Sequence, residues 1–185
     1  MDFGVEHLVG TFFGVLFVVL NAGLLGTVGH VVAAVLAVAA AALVVAAYLR
    51  SRAARGSAGM FEMTRAYRVI VTVEVVALVV GIVLCGRLAP QLTVSWIVLV
   101  VGLHFLAFAR WWPEGTGAAA RGGRDGARAF VVIGGVMTVL AVAGGVVGIL
   151  GGPPSQPVAA FVSGFVTGVL MLAGLAVPAA RRLAA

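Results

Sequence analysis

Residues 69–78 read VIVTVEVVAL, aliphatic and small side chains interrupted by one carboxylate, Glu74. Further along, the apolar run VSWIVLVVGLHFLAFAR carries one imidazole, His104. An imidazole changes charge near neutral pH, and burial disfavours the ionised form of a carboxyl group. Together the two side chains are suited to holding and passing a proton. Glu6 and His7, at the start of the first apolar run, are a possible extension of the same site. Carboxylate and imidazole also suit divalent zinc, manganese or iron, so Glu6, His7, Glu74 and His104 form an alternative metal set. Its spacing is poor, because adjacent residues on a helix point about 100° apart. No resident metal or other cofactor is expected.

The elements that position these groups follow from composition. The chain of 185 residues is 63% hydrophobic and 10% charged, whereas a soluble domain needs a polar surface around its core. The expected fold is an all-α integral membrane protein, one domain over residues 1–185. Its six transmembrane helices form three antiparallel hairpins, with spans at about 5–25, 30–49, 69–89, 94–110, 130–150 and 158–178, each near the ~20 residues that cross about 30 Å of hydrocarbon. Residues 8–49 are one unbroken apolar stretch of twice that length. The turn inside it belongs to NAGLLGTVGH, where Asn21, Gly23, Gly26 and Gly29 accept unusual backbone angles. The leader MDFGVEH is acidic and the run behind it long, unlike a cleaved signal peptide.

Arginine sets the expected orientation. The chain has twelve Arg and no Lys. Arg50, Arg52, Arg55, Arg65 and Arg68 fill the second connection, Arg110, Arg121, Arg124 and Arg128 the fourth, and Arg181 and Arg182 the C-terminal end. Only Arg87 falls to the other side. Basic residues of short loops stay in the cytoplasm, which places both termini inside. The expected location is a cell membrane, most simply a bacterial cytoplasmic membrane. Tyr67, Trp111 and Trp112 fall at the inner boundary, where amphipathic rings prefer to lie. The net charge of +6 is explained by topology and anionic lipid, so nucleic acid is not an expected partner. The lipid bilayer is one, and a second copy of the chain is another candidate.

The outer connections GRLAPQLT and GGPPSQP are short. Of the inner ones, WWPEGTGAAARGGRDGAR is Gly- and Ala-rich and reads as a mobile loop, while Glu62 and Arg65 stand at helical spacing that can extend the third helix. GIVLCGRLAP and GILGGPPSQP hint at repeated hairpins. Small residues recur at four-residue spacing at Gly10 and Gly14, at Ala33, Ala37 and Ala41, at Gly144 and Gly148, and at Gly164 and Gly168, ridges that let helix backbones approach closely.

Depth ties the two chemical residues together. Glu74 lies six residues past Arg68 and His104 six residues before Arg110, so each is about 9 Å from the inner boundary at about 1.5 Å per residue. A short turn makes their helices antiparallel neighbours, and an ionisable group in hydrocarbon seeks the bundle interior and a partner. Glu74 and His104 are therefore expected to face each other, with Ala77, Gly81 and Cys85 on the same side of the third helix. Two roles follow: a contact that sets hairpin register, or a polar site reached from the cytoplasm that exchanges protons or holds a cation. Asn21, Thr72, Thr138, Ser163 and Thr167 are expected to bond backbone carbonyls or a neighbouring helix. His30 is expected to reach interfacial water, and Arg87 to snorkel outward. Cys85 is the only cysteine and reads as packing. No HExxH, Walker or GxSxG motif is present, and catalysis is not expected. The functions in view are a proton-coupled small-solute or cation transporter, a scaffold or partner subunit in which the pair only fixes packing, and a divalent-metal-handling membrane protein.

Overall fold

A computed structural model describes residues 5–55, 65–111 and 119–184, and these are helical throughout apart from single residues at two turns. The side chains of Glu6, Tyr67, Trp111, Arg121 and Arg124, and Glu62 and Trp112 altogether, lie outside the described set. Seven α-helices follow in chain order: α1 (Val5–Asn21), α2 (Gly26–Arg55), α3 (Arg65–Leu88), α4 (Thr93–Trp111), α5 (Ala119–Gly151), α6 (Gln156–Ala160) and α7 (Val166–Ala184). Five helical stretches among the described residues are long and apolar enough to cross a membrane: His7–Ala53, Arg68–Leu88, Pro90–Arg110, Phe130–Gly151 and Pro153–Ala184. The first is 47 residues long, and it is broken by a 3-10 turn at Ala22–Leu25. Gly26 closes that turn with φ +67°, a left-handed angle that glycine adopts without steric penalty. Gly29, by contrast, is an ordinary residue of α2.

Three boundaries differ from the sequence reading. α5 begins at Ala119, well before residue 130, because the Ala and Arg residues of the fourth connection are strong helix formers and outweigh its glycines. The expected mobile loop is therefore helical from Ala119 onward. α2 continues past residue 49 to Arg55 for the same reason. α7 runs through Pro178 to Ala184. A proline removes one backbone hydrogen bond, but Ala179 is fully buried against Val44 and Ala47 of α2. Arg50 Nη1 donates to the Leu183 carbonyl at 3.0 Å, which satisfies an open acceptor at the helix end.

The chain divides into two compact units, one of residues 1–59 with 164–185 and the other of residues 60–163. In the first, α1 packs on α2 and α7, and α2 on α7. α1 and α7 are antiparallel: a methyl group on Gly168 would lie 2.8 Å from both the Gly14 carbonyl oxygen and the Val18 nitrogen. Val18, Ala37 and Leu172 fill the space where the three helices meet.

In the second unit α4 is central, with α3 and α5 packed on it. α4 and α5 run antiparallel and touch backbone to backbone, so that a methyl on Gly134 would meet the Gly102 oxygen at 2.7 Å and the Leu106 nitrogen at 3.0 Å. Nearer the C-terminal end of α5, Gly144 lies against the Ala159 carbonyl, Ser163 and Ser95. Here Ser95 donates to Ser163 at 3.2 Å and Ser163 to the Ala159 carbonyl at 2.7 Å. α6 packs on α5, then the helix widens into a π-turn at Phe161–Phe165 before continuing as α7. The boundary between the units falls within that turn.

Gly134→Ala is expected to lower stability by about 1–3 kcal/mol, since the new methyl meets backbone that cannot rotate away. Gly135→Ala meets nothing within 4 Å and should be neutral or slightly stabilising. Thermal unfolding of the two variants in one detergent checks the contrast.

Candidate functional site

α3 is covered along one narrow stripe. Glu74, Ala77 and Cys85 are half-buried and Gly81 is buried, and these positions recur at helical spacing on a single face. The valines at 73, 75, 76, 79 and 80 are exposed. The stripe faces α4, where Trp96, Val100, His104 and Phe108 follow one another at four-residue steps. Toward the C-terminal end of α3 the Trp96 indole nitrogen donates to the Ala77 carbonyl at 3.0 Å. The ring lies directly over Gly81, and a Cβ there would overlap it. Glycine at 81 is what lets the indole reach the α3 backbone.

Nearer the N-terminal end of α3, His104 Nδ1 approaches Glu74 Oε2 at 2.7 Å. The approach is short, yet it lies off the line of a ring N–H···O hydrogen bond, and Nδ1 makes no aligned bond to any other atom. The contact is thus a close carboxylate–imidazole meeting. His104 keeps 12% and Glu74 18% of side-chain surface exposed, so the pair is screened but not sealed.

Three phenylalanines frame the imidazole, and nothing in the charge pattern announced them. Phe108 stands edge-on to His104 with ring centres 4.2 Å apart, and Phe105 edge-on at 5.9 Å. Phe130 of α5 stacks on Phe105 at 5.8 Å and tilts against Phe108 at 6.2 Å. The available signal was spacing: Phe108 and Trp96 lie four and eight residues from His104, on its own helical face. The rings fix the imidazole while offering it no hydrogen bond, which leaves Glu74 as its polar neighbour.

The structure brings Glu74 and His104 together and leaves the other candidates elsewhere. His7 is half-buried in the first unit, where the Thr11 hydroxyl donates to its carbonyl at 2.7 Å. The Glu6 side chain lies outside the described residues. Among the described residues no three His, Cys, Asp or Glu side chains converge on a point where a metal ion could sit. Asn21, Thr138 and Ser163 each donate to the carbonyl four residues back. Thr167 is the exception: its hydroxyl is buried with no hydrogen-bond partner, and the adjoining π-turn changes the carbonyl geometry behind it. Thr72 is exposed. His30 lines an open depression with Gly23, Gly26, Thr27 and Val31, Arg87 is exposed, and Cys85 is a half-buried free thiol.

No family model, curated protein or solved structure matches the chain. A functional reading therefore rests on the geometry of this seam.

Gly81→Ala is expected to push the Trp96 indole off α3 and break its bond to Ala77. In a background with Trp111 and Trp112 replaced by Phe, the emission maximum of Trp96 should shift, and stability should fall by about 1–3 kcal/mol. An unchanged spectrum would show that the indole does not sit on Gly81.

Proposed function

We propose that this chain is a six-span protein of a cell membrane, with both termini inside, whose Glu74–His104 pair takes up and releases protons from the cytoplasmic side. In this reading it couples those protons to movement of a small solute or cation. The six-span count is supported by the turn at Ala22–Leu25 and by the packing of α1 on α2. The orientation is supported by the asymmetry of arginine.

The observation that carries the functional reading is the 2.7 Å approach of Nδ1 to Oε2 within a membrane-spanning stretch. A proton on either atom leaves the pair neutral as a whole, as carboxylate with imidazolium or as carboxylic acid with imidazole. Removing that proton leaves a net negative charge in a poorly solvated place, and adding a second leaves a net positive one. Either imbalance costs several kcal/mol in hydrocarbon unless something compensates it. A cation entering as a proton departs restores neutrality, which is the physical basis for coupling the two.

A second reading is favoured by Trp96 on Gly81. The Glu–His contact lies on the same α3–α4 seam and can serve only to set its register, in a scaffold or partner subunit without transport of its own.

The two separate experimentally. Purified protein in liposomes holding a pH-sensitive dye is exposed to a pH step, with Na⁺, K⁺ or tetramethylammonium outside in turn. Proton movement driven by one of these cations, about tenfold above empty liposomes, is expected of the wild type. Glu74→Gln should fall to the empty-liposome level while its unfolding temperature moves by only a few degrees. Wild type indistinguishable from empty liposomes with every cation would leave the register role.

Topology has its own check. In a Cys85→Ser background, cysteine placed at Gln91 should react with an impermeant maleimide added outside intact cells, and cysteine at Arg128 only after lysis.

A further inference from the structure

The exposed side of α3 carries a feature that the Glu74–His104 contact does not use. Arg65, Arg68 and Thr72 lie on one face with Val69 and Val73, and these five residues line a shallow, open depression of about 420 Å³. All five are exposed. Val76 and Val80 continue the same helical face outward, also exposed. Basic and hydroxyl groups thus stand at the inner end of an unbroken apolar track.

We propose that this face binds one anionic phospholipid. Arg65 and Arg68 hold the headgroup phosphate, Thr72 donates to a phosphate or ester oxygen, and an acyl chain lies along Val69, Val73, Val76 and Val80. Arginine is the side chain whose planar donors best match a phosphate. Two guanidiniums favour a headgroup with net negative charge and disfavour one whose own ammonium already neutralises it. The length of the track selects lipid over free phosphate. From Val69 to Val80 a helix rises about 16 Å, and one leaflet of the hydrocarbon core is about 15 Å deep. β-Branched valines are stiff at χ1, so the chain meets a fixed surface.

The proposal rests on the membrane reading, with Arg65 and Arg68 at the inner boundary, and not on proton exchange at Glu74. It is tested by native mass spectrometry of the full chain in mild detergent with equal amounts of phosphatidylglycerol and phosphatidylcholine of identical acyl chains. Wild type should retain phosphatidylglycerol at least tenfold in excess. Arg65→Ala and Arg68→Ala should each reduce that preference about fivefold, while Arg87→Ala and Glu74→Gln leave it unchanged. Millimolar inorganic phosphate should not displace the lipid. Equal retention of the two lipids, a preference that survives in the Arg65→Ala/Arg68→Ala double variant, or displacement by inorganic phosphate would each overturn the proposal. Because Glu74→Gln is expected to keep its lipid and lose its proton signal, failure of either reading is seen separately.

Discussion

Hydrocarbon removes the usual reason for helices to associate, since an aliphatic side chain is as well solvated by an acyl chain as by another helix. What remains is close backbone approach and a small number of polar contacts. The helices of this protein use both. α1 meets α7 at Gly14 and Gly168, and α4 meets α5 at Gly102 and Gly134, each close enough to exclude a methyl group. α3 stands apart from this pattern. Its covered stripe is narrow, most of its valines are exposed, and its seam with α4 relies on Trp96 over Gly81 and on Glu74 against His104.

The carboxylate therefore sits on a lightly packed helix, opposite an imidazole on the central one. A carboxylate held by extensive van der Waals contact would be insulated from its own protonation state, because packing would keep the helix in place whatever the charge. On α3 the acid meets the imidazole toward the N-terminal half of the seam, while Trp96 pins the C-terminal half. Chemistry and mechanics share the same atoms here, and the phenylalanines around His104 keep the imidazole in place without competing for its proton.

Much of this was legible in the sequence. Composition and run length identify the membrane-spanning stretches, and counting residues from Arg68 and Arg110 puts Glu74 and His104 at one depth. The turn chemistry of residues 21–29 locates the break in the first stretch to within a few residues. Other features resist reading for identifiable reasons. With 26 glycines in the chain, four-residue spacing marks many candidate ridges, and neither Gly102 nor Gly134 is singled out by it. The start of α5 depends on a balance between helix-forming Ala and Arg and helix-weakening Gly, which spacing alone does not decide. The passage of α7 through Pro178 depends on partners distant in sequence, Val44, Ala47 and Arg50. Spacing from His104 points to Phe108 alone; Phe105 and Phe130 stay hidden because phenylalanine in an apolar run looks the same whether it faces lipid or another ring.

The π-turn at Phe161–Phe165 joins two packed stretches of the last helix. One extra residue kept in α pitch would rotate everything downstream by about 100°, and the wider turn absorbs it. Before and within it, Ala159 and Ser163 lie against Gly144 of α5; after it, Gly168 lies against Gly14 and Val18 of α1, and Ala179 packs with Val44 and Ala47 of α2. On a helix of uniform pitch the five-residue step from Ser163 to Gly168 would turn through about 500°, leaving the two nearly opposite. Losing one residue from this short segment would return it to ordinary α pitch and leave α7 aimed almost as before, so the segment can absorb a change of length that a regular turn could not.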